Sequence, residues 1–162
     1  MTKKRYPKLG TVIAIPLNSR LFGFGLILSR PQIAVLDVKS GRPELPVLEG
    51  PIDGHVLFHV SVMRSAVLSD AWRKIGEIEL PDSLKKEPWT FNQDLMSGEI
   101  YLTKTGSEDV PTTPEGIRGL ERVAVWEGEH LEDRIRDHFA GRPNKWVESL
   151  RPNLAAWNSR AK

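Results

Sequence analysis

Residues 20–31 read RLFGFGLILSRP. Two glycines stand one residue apart in a stretch whose other residues favour a strand. A phosphate-cradling GxGxxG loop needs a helix directly after it, so that backbone N–H groups and the helix dipole meet the anion. Here Leu26, Ile27 and Leu28 continue the strand, and Leu28 stands where a third glycine would fall. Strand alternation accounts for the pattern better. Phe22, Phe24, Leu26 and Leu28 share one face, whereas Leu21, Gly23, Gly25 and Ile27 share the other, with two side chains missing from its middle. A face emptied in this way lets a strand coil sharply, or receives a bulky ring from another element. Five tryptophans are available to supply that ring. Gly23 and Gly25 therefore read as a structural device in a curved sheet and name no activity by themselves.

Working outward, TVIAIPL (11–17) and IAVLDVK (33–39) are short β-rich runs on either side. Asn18-Ser19 and Ser29-Arg30-Pro31 supply the turns, so the first forty residues predict a three-stranded antiparallel meander. SGRPELPVLEGPIDG (40–54) reads as a long loop. In HVLFHVSVMRSAV (55–67) strand character resumes, with Val56, Phe58, Val60 and Val62 on one face. Ser69-Asp70 makes a turn, and WRKIGEIEL (72–80) and GEIYLTK (98–104) are further strand candidates. Between them Pro81–Gly98 is mostly irregular, with Trp89 and Phe91 expected to anchor it to the core.

The last third changes character. Thr113-Pro114-Glu115 opens a short helix, and LERVAVW (120–126) is a strand candidate. EHLEDRIRDHF (129–139) is the clearest helix, with Leu131, Ile135 and Phe139 at i, i+4 and i+8. Gly141 and Pro143 stop it, and NKWVESL (144–150) begins one more short helix. Strands first and helices last predict an α+β fold: a curved antiparallel sheet or small open β-barrel with C-terminal helices. The length of 162 residues is expected to form a single domain, 1–162.

Cysteine is absent, which excludes disulfides and zinc–thiolate sites. No apolar run approaches the ~18 residues of a membrane span, and no apolar segment of a secretory signal follows MTKKRYPKLG. A cytoplasmic location is the expectation. The net charge of +2 divides unevenly, +7 over residues 1–42 and −5 over the rest. A basic start is compatible with nucleic-acid contact or with a solvated polar arm.

The residues that carry most enzyme chemistry are not arranged for it. His55 and His59 are ~13 Å apart along a strand, and His130 and His138 ~12 Å apart along a helix. Neither pair shares one zinc ion, whose ligand bonds are ~2.1 Å. There is no GxSxG elbow. Glu121, between Leu120 and Val123–Trp126, is the carboxylate of most interest, read as a structural ion pair or, as a weaker enzyme reading, part of an assembled carboxylate site. The stretch 127–137, EGEHLEDRIRD, is a mainly acidic helix start that complements the helix dipole. Beside the apolar stripe, His130, Arg134 and His138 form a second one suited to a partner.

Several motifs in order carry a resemblance: GTVIAIPL, RLFGFGLILSRP, IAVLDVK, HVLFHVSVMRSAV, WRKIG and LERVAVWEGEHLEDRIRDHF. Within them Phe22, Gly23, Phe24 and Gly25, then Trp72 with Gly76, Leu120-Glu121-Arg122, Trp126 and Asp133-Arg134 are the most specific pieces. The chain resembles the immunity protein 26 family of bacterial polymorphic toxin systems over about residues 8–146, leaving 147–162 as a C-terminal extension. The resemblance implies an α+β protein that neutralises a toxin encoded beside it by direct binding. It implies no catalysis and no cofactor, and it brings no catalytic residues to carry over. On that reading the partner is the toxin domain, and the surface expected to meet it holds Trp126, Glu127, Glu129, His130, Asp133 and Arg134. The alternative is a small β-barrel nucleic-acid-binding module that uses the basic N-terminal hairpin with Arg20, Arg30 and Arg42.

Overall fold

A computed structural model describes residues 3–160. The expected meander is present: β1 (Thr11–Asn18), β2 (Leu21–Ile27) and β3 (Gln32–Ser40) pair antiparallel in sequence order. β4 (Val56–Val62) joins β3, and β5 (Arg73–Glu77) joins the free edge of β1. A two-residue strand, β9 (Val125–Trp126), adds in parallel to β4, giving the order β5-β1-β2-β3-β4-β9. The mixed α+β class follows, with an open six-stranded sheet. The register breaks at Val12/Ile13, Pro16/Asn18, Gly23/Gly25 and Val35/Leu36, and such irregularities sharpen local twist.

This sheet belongs to the first of two compact units, made of residues up to Lys86 and Val125–Asn144. Both of its faces are covered, which is why TVIAIPL is apolar almost throughout instead of alternating. On one face Val12, Ala14, Phe24, Leu26, Ala34 and Leu36 pack with Leu80 and with Leu84 of helix α2 (Asp82–Lys85). Phe22 is half-buried against the same core. On the other face Ile13, Ile15, Ile27, Ile33 and Val35 are buried, and helix α3 (Gly128–Phe139) lies against β1 there.

At Gly23 a side chain of α3 comes close to the sheet. A Cβ at Gly23 would stand 3.0 Å from Ile135 Cγ2 and 3.6 Å from Leu17 Cδ1. Of the two alternatives, the strand is irregular between Gly23 and Gly25, and over Gly23 the emptied face meets an isoleucine of the helix and not an aromatic ring. The buried stripe of α3 is aliphatic here, Leu131 and Ile135, and a β-branched side chain fills the shallow space over one missing Cβ. Gly25 sits in ordinary contact with Ile15 and Ile33. Gly76 lies in β5 opposite Val12, with open space above it.

The segment 55–67 stops being a strand at Val62 and turns into helix α1 (Arg64–Val67), which packs on α3. Trp72 N–H donates to the Ser69 carbonyl, 3.2 Å, in the turn before β5.

The second unit comprises Glu87–Ala124 and the residues from Lys145 onward. Its antiparallel sheet, β6 (Thr90–Gln93), β7 (Ile100–Thr103) and β8 (Val110–Thr112), carries a core of Phe91, Ile100 and Ile117. Helices α4 (Lys145–Ser149) and α5 (Leu154–Ser159) follow in the chain, and Trp157 of α5 packs on that core. Ala161 and Lys162, which end the expected 1–162 domain, lie outside the described residues. Of the two expected anchors, Phe91 is buried but Trp89 is 36% exposed beneath the Lys104 ammonium. LERVAVW is a strand only at its end. Earlier in that run, Glu121 and Val123 exchange backbone hydrogen bonds with Phe91.

One buried side chain ties α5 to this sheet. The Gln93 amide donates to the carbonyls of Gly98 and Asn153, both 3.0 Å, and its oxygen accepts from the Asn153 N–H, 2.7 Å. Gln93→Leu removes all three bonds and leaves the buried Gly98 carbonyl without this donor. The expected cost is about 3 kcal/mol, read as a fall in the urea midpoint.

Candidate protein-binding site

A groove of about 420 Å³ opens where α1, the turn before β5 and the start of α3 meet. Its size falls within the range of about 300–1,000 Å³ typical of ligand pockets. Met63, Ala66, Ala71 and Trp72 give it apolar walls, and Glu127, Glu129 and Glu132 place three carboxylates along it. The shape depends on small residues. A Cβ at Gly128 would stand 2.9 Å from Ala66 Cβ and 3.6 Å from Trp72 Cζ2. Glycine at the start of α3 thus lets the two helices close over the indole.

Trp72 is 3% exposed. Its indole Nε1–H donates to Glu132 Oε1 at 3.0 Å, so the only polar atom of the ring is satisfied and Glu132 is held in place. Glu127 caps α3 without a side-chain hydrogen bond to the helix. Among the described residues neither Glu127 nor Glu129 forms an ion pair, and no lysine or arginine lines the groove.

Two neighbouring cations, Lys4 and Arg64, are engaged elsewhere. Lys4 Nζ lies 2.7 Å from Asp70 Oδ1 and 3.2 Å from the Leu68 carbonyl, so the basic N-terminal segment is docked here. That contact holds the Asp70 carboxyl below the usual carboxylate range. Arg64 reaches the Lys4 carbonyl and lies over the Tyr6 ring. Burial pushes the Tyr6 phenol up, against the pull of Arg30 and Arg64.

The six residues expected to meet a partner fall into distinct places. Glu127 and Glu129 line the groove. Trp126 is buried beneath α3 at 5% exposure. The Arg134 guanidinium stacks 3.5 Å from the Phe58 ring centre and 5.0 Å from that of Trp126. Asp133 pairs with Arg136, which also donates to the Leu17 carbonyl. His130 is half-buried on α3. Glu121 is half-buried in the second unit. In the sequence Glu132 reads as part of the acidic helix start and as an i, i+4 partner of Arg136, but Arg136 pairs with Asp133 and Glu132 takes the Trp72 indole; Met63, at a strand end, carries no signal until the groove is assembled. Arg20 and Arg42 lie near one end of β2 and Arg30 at the other, separated by roughly the 20 Å length of that strand. The fold does not gather the three arginines into one patch.

Among the described residues no group of three or more His, Asp or Glu is placed to hold a metal ion, and no helix is long and apolar enough to cross a membrane. Fold and groove define an α+β protein with a carboxylate-lined groove beside α3. The chain belongs to the immunity protein 26 family, whose family model matches residues 8–102, more than half of its length. Membership makes it an immunity protein of a toxin system. The match ends within β7, so Leu120–Arg122, Trp126 and Asp133-Arg134 lie beyond it. No curated protein and no solved structure matches the chain.

Proposed function

We propose that this protein neutralises a cognate bacterial polymorphic toxin in the cytoplasm by direct, non-catalytic binding that covers the toxin's working surface. The groove beside α3, with Glu127 and Glu129 on its rim, is part of the face that meets the toxin. The observation carrying this reading is a preformed groove whose three carboxylates have no counter-cation among the described residues. Carboxylates left unbalanced on a rigid frame attract a basic partner and need little reorganisation on binding.

A useful inhibitor binds at nanomolar Kd or tighter, about −12 kcal/mol. Titration calorimetry with the toxin domain encoded beside this gene is expected to give such an affinity. Absence of a complex at micromolar concentrations, with both proteins folded, would end this reading.

A further inference from the structure

We infer that the groove receives a basic side chain, arginine or lysine, projected from a segment of the partner protein. The inference rests on the groove being the toxin-facing surface and specifies what enters it.

Shape and charge point to the same occupant. The apolar walls of Met63, Ala66 and Ala71 suit the methylene stem of a long basic side chain. Glu127, Glu129 and Glu132 surround the position its charged head would take. The helix dipole explains Glu129, in the first turn of α3. It does not explain Glu132, a turn further on and fixed by the Trp72 indole. Neither Lys4 nor Arg64 fills the gap, because Lys4 contacts Asp70 and Arg64 contacts the Lys4 carbonyl and Tyr6, and no lysine or arginine lines the groove. A volume of about 420 Å³ takes one basic side chain together with the backbone on either side of it.

Glu132 accepts from the Trp72 indole through Oε1. A cation drawn to Glu132 therefore perturbs that indole N–H, which serves as the reporter. The test uses the full chain, isotopically labelled for NMR, and the capped tripeptide acetyl-Gly-Arg-Gly-amide. The control replaces arginine by citrulline, which keeps the shape and removes the charge. The expected result is a saturable shift of the Trp72 indole resonance with a Kd of about 1 mM. The citrulline peptide is expected to bind about 10-fold more weakly, and Glu127→Gln with Glu129→Gln to weaken the arginine peptide by a similar factor. No shift, equal shifts from both peptides, or an unchanged affinity in the double variant would overturn the inference. The titration contains no toxin. Failure here with toxin binding intact removes only the basic occupant, whereas a lack of toxin binding removes the proposed function and leaves the peptide result standing.

Discussion

Ile135→Ala is expected to destabilise the protein by about 4 kcal/mol, near the upper end for deleting a buried aliphatic side chain. The site has little room to collapse. Ile135 is fully buried, and its Cγ2 fills the space over Gly23. Directly below it the residue is glycine, so that position has no side chain to move up, and Leu17 borders the space from one side only. The measurement is urea unfolding, with a lowered midpoint and an unchanged m value. Gly23→Ala tests the cause. A Cβ at 3.0 Å from Ile135 Cγ2 crowds the Ile135 side chain in a packed core, so this change is expected to cost about 1 kcal/mol in the wild-type background. In the Ile135→Ala background the clash is gone and the methyl partly fills the cavity, so the same change is expected to stabilise. That reversal of sign is a coupling between two contacting residues. Additive effects would mean that the glycine serves only strand curvature.

Charge reversal on the rim of the groove is the second large effect. Glu127→Lys with Glu129→Lys is expected to weaken toxin binding about 100-fold, or roughly 2.7 kcal/mol. Most of the loss should fall on the association rate, and the salt dependence of that rate should flatten. Both side chains are exposed, so the fold tolerates the change apart from about 1 kcal/mol for placing positive charge at a helix N-terminus. Surface plasmon resonance at two ionic strengths separates rate from stability. Unchanged kinetics would move the interface elsewhere. The second unit offers Leu95 and Met96 for that role, 90% and 96% exposed in the β6–β7 turn.

The meander was legible because its strands are buried on both faces and punctuated by turn residues, so apolar runs and breaks coincide with structure. Helix α3 was legible through the i, i+4 spacing of Leu131 and Ile135. Of the second sheet only β7 was, inside the strand candidate GEIYLTK (98–104). β6 is TFNQ, in which Phe91 alone is a large apolar residue, and β8 contains Pro111. Such strands are defined by partners rather than by their own pattern. LERVAVW misled because β-branched residues suit strands, yet Val123 and Val125 are exposed and only Val125–Trp126 pairs in a ladder. At the site, the acidic start of α3 was visible, but its groove was not. Trp72 is 60 residues from Glu132, and no local spacing announces that they touch. Arg134 likewise read as a surface group until Phe58 and Trp126 were found beneath it.

The most direct measurement of the central idea is the stoichiometry of protection. A fixed amount of active toxin is titrated with this protein, and residual toxin activity is followed to completion. A stoichiometric inhibitor gives a straight decline to zero at a fixed molar ratio, independent of incubation time, and releases active toxin when the complex is denatured and the toxin refolded. Progressive inactivation of excess toxin by trace amounts of the protein would contradict the account, because it would mean that the toxin is chemically altered.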